Sequence, residues 1–146
     1  MTNTKLFSFV TPDVTLENSF LTRPDQFKQF SIHMLLDDTQ AEDLWARLEL
    51  IRKRHLKHLP QSKLSIPGKT DSKPHRILNR QFHRFIARTK YQPDIVEGSD
   101  QHDYPHEVLD GAVGRCFLSL SPYLNHGGGI RLCITKVQLV KVTALV

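Results

Sequence analysis

The stretch Asp110-Gly111-Ala112-Val113-Gly114-Arg115-Cys116-Phe117-Leu118-Ser119-Leu120-Ser121, then Pro122-Tyr123-Leu124-Asn125-His126-Gly127-Gly128-Gly129 and a second run from Ile130 to Val142, decides the fold. Two segments of strand length, rich in Val, Ile, Leu and Thr and separated by a turn-forming cluster, spell a β-hairpin. Strand side chains alternate, so Cys116, Leu118 and Leu120 share one face, and Arg115, Phe117, Ser119 and Ser121 share the other. The first face suits a core. The second sets a phenylalanine beside an arginine, and such a ring is either covered by another part of the protein or is a platform on which a nucleic-acid base stacks.

Upstream, the same alternation recurs. Phe82 to Tyr91 places Arg84, Ile86, Arg88 and Lys90 on one side and His83, Phe85, Ala87 and Thr89 on the other, with Pro93 as the stop. Which side faces inward stays open, since Phe85 and Ile86 are both apolar. Phe27 to Leu36 is a cleaner strand, with Phe30, Ile32, Met34 and Leu36 against Gln29, Ser31 and His33. Lys5 to Leu16 reads as a strand with a break or an edge position at Pro12, and Glu17 to Gln26 as a loop long enough to carry function. Gly98 to Glu107 is polar and acidic and reads as another loop.

A helix is expected from Thr39 to about His58. Threonine at the N-cap with Glu42 three positions on satisfies two free backbone donors, and Leu44, Leu48, Ile51 and His55 form a stripe. Trp45 widens that stripe and reads as core. Beyond the helix, Leu59 to Asn79 has no period and holds Pro60, Pro67, Gly68 and Pro74 among its cations, the pattern of an open basic loop or an arm that orders on a phosphate backbone. Five strands with one helix after the second, and no βαβ alternation, predict a mainly β chain: a five-stranded oligonucleotide-binding (OB) barrel in a single domain over 1–146.

Charge is unevenly spread. Residues 47–91 hold thirteen of the twenty Lys and Arg and only two of the fifteen acids, so this segment carries a formal +11 and the remainder −6. Such polarity attracts polyanions, although a solvated helix face beside a loop gives the same count. Cations two apart along a strand face speak more directly for nucleic acid, because no helix dipole explains them.

Other classes find little support. No apolar run of membrane-spanning length exists, and Met1-Thr2-Asn3-Thr4-Lys5 lacks the apolar core of a signal peptide, which predicts a cytoplasmic protein. Cys116 and Cys133 are then expected as free thiols. Among eight histidines, His102 with His106 and His55 with His58 have helix-like separations but no Cys or carboxylate companions at ligand spacing, so neither a metal nor another cofactor is expected. Gly127-Gly128-Gly129 lacks the lysine and helix of a phosphate loop, and neither a nucleophile elbow nor a paired-carboxylate signature appears. The expectation is a binding protein, not an enzyme.

Read together, Thr11-Pro12-Asp13-Val14-Thr15-Leu16-Glu17, then Phe27 to Asp37, Phe85 to Pro93, Asp110 to Cys116, Gly129-Ile130-Arg131-Leu132 and Val137 to Val140 resemble the OB-fold single-stranded DNA-binding proteins of tailed bacteriophages. The likeness spans nearly the whole chain. It implies a replication and recombination factor that coats single strands with little sequence preference and meets phage replication proteins. The chain departs from that pattern in ending Lys141-Val142-Thr143-Ala144-Leu145-Val146 without an acidic tail, and in the cations of Leu59 to Asn79. The alternative is an OB-like interaction module for protein or structured RNA.

The candidate contacts follow from the two requirements of such binding, cations for phosphates and bare rings for bases. For phosphate these are Arg84, Arg88, Lys90, Arg115 and Lys28. For stacking they are Phe117, Tyr91 and Phe27, with Tyr123 and Tyr104 behind them.

Overall fold

The computed structural model describes residues 6–67, 75–77 and 80–142. Among these, the order is β1 (Ser8–Val10), β2 (Val14–Phe20), β3 (Phe30–Asp37), α1 (Asp38–His55), β4 (His75–Ile77), β5 (Arg80–Thr89), β6 (Asp94–Glu97), β7 (His102–Asp103), β8 (Val113–Tyr123) and β9 (Gly129–Lys141). Five of the strands close a ring. β2 pairs with β3, β3 with β5, β5 with β9, β9 with β8, and β8 returns to β2. Only the β5–β9 seam of that ring is parallel, meeting at Arg88 and Cys133. This is the five-stranded barrel with one helix that the sequence predicts.

The β8–β9 hairpin forms the long ladder of the barrel, from Gly114 opposite Leu139 to Tyr123 opposite Gly129. Cys116, Leu118 and Leu120 point inward and are buried, as their alternation requires. On β9 the alternation breaks: Ile134 and Val137 are both buried although three positions apart. The register explains this, because Phe117 faces Lys136 while Leu118 faces Ile134, leaving Thr135 as the extra residue of a bulge. Its hydroxyl donates to the Phe117 carbonyl at 3.0 Å. Gly114 has its own reason: a Cβ there would stand 2.8 Å from the Gln138 carbonyl oxygen.

One expected break is present, and two sequence-predicted boundaries shift for identifiable reasons. The expected interruption at Pro12 is a break between two strands, where Thr11 donates its N–H to the Cys116 carbonyl at 3.0 Å and accepts from the Cys116 N–H on its hydroxyl at 2.9 Å. β1 therefore lies on β8, and β2 turns away to β3. β2 also runs on to Phe20, inside the expected loop; its register slips between Glu17 and Phe20, where Asn18 has φ 48°, so no alternation marks it. β3 starts at Phe30, not Phe27, because the Asp25 carboxylate accepts from the N–H groups of Phe27 (2.8 Å) and Gln29 (3.1 Å) and holds a turn.

The helix begins earlier than expected. Asp37, not Thr39, is the N-cap: its carboxylate accepts from Gln40 N–H at 2.8 Å, and the Gln40 side chain accepts from Asp37 N–H at 3.0 Å. Ala41, Leu44, Leu48 and Ile51 form its buried stripe. α1 packs on β3, β5, β8 and β9, which lays it across one end of the barrel. Trp45 is half-buried there, its ring 5.9 Å from that of Phe85 and 4.7 Å from that of His83.

On β5, Phe85 and Ala87 are fully buried while Arg88 is exposed, so the inward face left open by sequence is the Phe85 face. After α1 come a 3-10 turn at Gln61–Lys63 and the β4–β5 pairing. Residues 68–74 and 78–79, where the basic arm was expected, lie outside the described residues. The expected Gly98–Glu107 loop carries β7, which pairs with β6; β6 in turn extends the sheet in parallel with β9. Both cysteines are free; Cys116 points into the core, where burial pushes its thiol up to about 12, and Cys133 is half-buried on the outer wall. No described helix is long and apolar enough to cross a membrane.

Candidate nucleic-acid interface

The outer wall of β5 and β9 carries a groove of about 660 Å³. It is lined by Ile86, Arg88 and Thr89 of β5 with Lys90 and Tyr91 beyond it, and by Tyr123 of β8 with Arg131, Leu132 and Cys133 of β9. Ser65, Pro67 and Gln29, the residue before β3, also line it. The described residues lining it include three cations and no carboxylate. Two aromatic rings stand among them.

Each element has a local cause. Pairing in parallel, β5 and β9 place Arg88 beside Cys133, so the alternation of both strands turns Arg88, Arg131 and Cys133 to the same wall. The hairpin tip closes over Leu59 and Ser65 through its glycines. Gly127 and Gly128 have φ of +89° and +85°, and a Cβ on Gly128 would meet Leu59 Cδ1 at 2.5 Å. Ser65 then bonds across the tip, donating to the Gly128 carbonyl at 3.0 Å and accepting from Ile130 N–H at 3.1 Å. Tyr123 is held from its other side by the Arg131 guanidinium, 5.1 Å from the ring centroid.

Gly129 sits where these pieces converge. A Cβ there would lie 2.5 Å from the Ser65 carbonyl oxygen and 2.6 Å from Tyr123 Oη, and the first of these is backbone. Gly129→Val is therefore expected to cost about 1–3 kcal/mol through forced displacement. Urea denaturation measures that loss; a stability within error of wild type would show that the seat of Tyr123 is not tight.

The sequence-predicted residues divide. Arg88, Lys90, Tyr91 and Tyr123 meet in the groove. Tyr91 is 81% exposed, its N–H donating to Thr89 Oγ1 at 3.2 Å. Phe27, 72% exposed, and Lys28, at φ 61°, stand on the Asp25 turn that leads to Gln29 at the groove. Arg84 lies on the same wall, one Nη 3.8 Å from the Glu17 carboxylate.

Arg115 and Phe117, also candidates from the sequence, do not line this groove. Both project from β8, which meets β9 and β2 but not β5. Arg115 Nε donates to Asp13 at 3.1 Å and lines a second, mixed-charge depression with Phe9, Val10, Asp43, Arg47 and Leu50. Phe117 is half-buried under Lys136, whose Nζ is 4.4 Å from the ring centroid. Tyr104 packs on the core and edges the His106 ring at 5.4 Å.

Sequence reasoning left Arg131, Gln29, Cys133 and His33 out of the candidate set. Arg131 had a signal, its outward place between Ile130 and Leu132, but the pairing that brings it to Arg88 had none. His33, half-buried on β3, faces Ile86 across the ladder and so lies between Arg84 and Arg88 on the wall. Burial and those two guanidiniums hold its imidazole below the ordinary histidine range, with Glu17 and Asp110 opposing. His102 behaves oppositely, Asp100 at 2.7 Å and then Glu97 at 3.4 Å raising it. Among the described residues no group of three or more metal-ligating side chains occurs.

No protein-family model matches the chain, and no curated protein matches it in sequence. Solved structures do. The single-stranded DNA-binding protein of bacteriophage Enc34, truncated at its C-terminus, superposes with a TM-score of 0.74 at 16% identity, over 97% of this chain and 90% of that one. The Enc34 protein in complex with ssDNA gives 0.75 at 16% identity, over 96% and 89%. Gp2.5, a single-stranded DNA-binding protein encoded by bacteriophage T7, gives 0.64 at 14% identity, over 95% and 88%. Along nearly its whole length, the chain shares the fold of these phage proteins.

Proposed function

We propose that this protein binds single-stranded DNA with little sequence preference, along the outer β5–β9 wall, and serves phage DNA replication and recombination. The observation that carries this reading is the groove itself, which gathers Arg88, Lys90 and Arg131 with the rings of Tyr91 and Tyr123 and, among the described residues, no acid. Cations there neutralise phosphates and release counterions, which supplies affinity. Rings supply roughly 1–3 kcal/mol per stacked base without reading its identity, since every base has a π face. Phe27, Lys28 and Arg84 extend the path toward β2 and β3. Fold supports the reading, as the phage proteins that share it are single-stranded DNA-binding proteins, one of them solved with its ligand.

No bond is made or broken in this role. The protein shields a strand until partners in replication take it over. Titration of labelled oligo(dT) of several lengths at two salt concentrations tests the proposal. Affinity should rise with length up to one site and fall steeply with salt, by ~0.7 in log K per log salt for each phosphate contact. Weak, length-independent binding to oligo(dT), with tight binding only to duplex, folded RNA or protein, would replace it with the interaction-module reading.

A further inference from the structure

The outer wall holds a second feature beside the groove. Across the β3–β5 ladder, His33 is opposite Ile86, with Ser31 opposite Arg88 and Leu35 opposite Arg84. Residues opposite each other share a face, so the imidazole stands on the same wall as both guanidiniums. Ile86 and Arg88 also line the groove, which makes this cluster continuous with it.

We propose that Arg84, His33 and Arg88 form a phosphodiester subsite in which His33 takes up a proton as the strand binds. This deepens the single-strand reading and rests on it. The surroundings of His33 are charged from every side. On β5 the cations are Arg84 and Arg88; on β2 the Glu17 carboxylate lies 3.8 Å from Arg84, and before β8 Asp110 accepts from the Asn18 N–H at 2.9 Å. The Asn18 amide nitrogen lies 3.4 Å from His33 Nδ1. Without a ligand, burial and the two guanidiniums disfavour the imidazolium, against the weaker pull of Glu17 and Asp110. A phosphate placed among the three groups cancels that repulsion and offers an acceptor to the ring. The bound state therefore favours the proton that the free state rejects, and affinity rises as pH falls through the histidine range.

Folding carries the opposite linkage. Because the folded-state value lies below the ordinary one, the unfolded chain binds the proton more tightly, so His33 lowers stability as pH falls below about 6.5. Binding should run the other way.

Fluorescence titration of oligo(dT) at about pH 8 and about pH 5.5 tests this, with wild-type affinity expected to rise roughly 3- to 10-fold at the lower pH through linkage. His33→Gln should lose that rise, while His102→Gln, on β7, should keep it. Calorimetry near pH 6 in two buffers of different ionisation enthalpy should show net proton uptake for wild type and much less for His33→Gln. An equal pH response or equal uptake in His33→Gln overturns the subsite and leaves the groove standing. Absence of oligo(dT) binding at either pH overturns both.

Discussion

Arg88→Ala is expected to weaken oligo(dT) binding about tenfold or more at low salt, the loss of one charge-assisted hydrogen bond worth about 1.5–3 kcal/mol. Arg88 is exposed at the seam where β5 meets β9, within a groove whose other cations among the described residues are Lys90 and Arg131. Each phosphate neutralised releases counterions from the strand, so the plot of log K against log salt should flatten by about 0.7 for the lost contact. Arg88→Glu should weaken binding further, since a carboxylate repels the neighbouring phosphates as well. The informative control is Arg115→Ala. Arg115 already donates to Asp13 at 3.1 Å, in a different depression, so its removal should leave the salt slope within error. If Arg115→Ala flattened the slope and Arg88→Ala did not, the strand would lie on β8 and the β5–β9 groove would lose its role.

How far this interface is legible in sequence depends on pairing distance. Alternation along one strand is local, and it places Arg84, Ile86 and Arg88 on one face and Cys116, Leu118 and Leu120 on the other kind of face without help from the fold. What alternation cannot reveal is which strands become neighbours. Arg115 and Phe117 share the local look of Arg84 and Arg88, yet β8 stands on the far side of β9 from β5. Conversely, Arg131 joins Arg88 only because two strands more than forty residues apart close the barrel in parallel. Bulges hide in the same way. One extra residue at Thr135 reverses the pattern of β9, so a strict period of two mislabels half of that strand. Capping fails more gently: Asp37 with Gln40 and Thr39 with Glu42 offer rival starts two residues apart, and the first wins because Asp37 already ends β3.

Phe85→Ala should be the most damaging single change to the fold, and it separates folding from binding on one strand. Phe85 is fully buried, flanked on β5 by the outward Arg84 and Ile86, and its ring packs against Trp45 of α1. Truncation removes the ring from the contact between barrel and helix and leaves a cavity, at a cost of about 3–5 kcal/mol. A domain of this size loses about 2–4 °C in melting temperature per kcal/mol, so a fall of roughly 6–20 °C is expected. Trp45 reports it directly, since its ring contacts that of Phe85 and its emission should shift when that packing loosens. At temperatures where the variant remains folded, its salt slope should match wild type, because every cation on the outer wall is still present. A variant that melted normally would show that α1 is held on without Phe85. One that stayed folded but lost its salt dependence would show that the inward ring sets the outward positions of Arg84 and Arg88, tying the core to the charge pattern of the wall more closely than alternation alone requires.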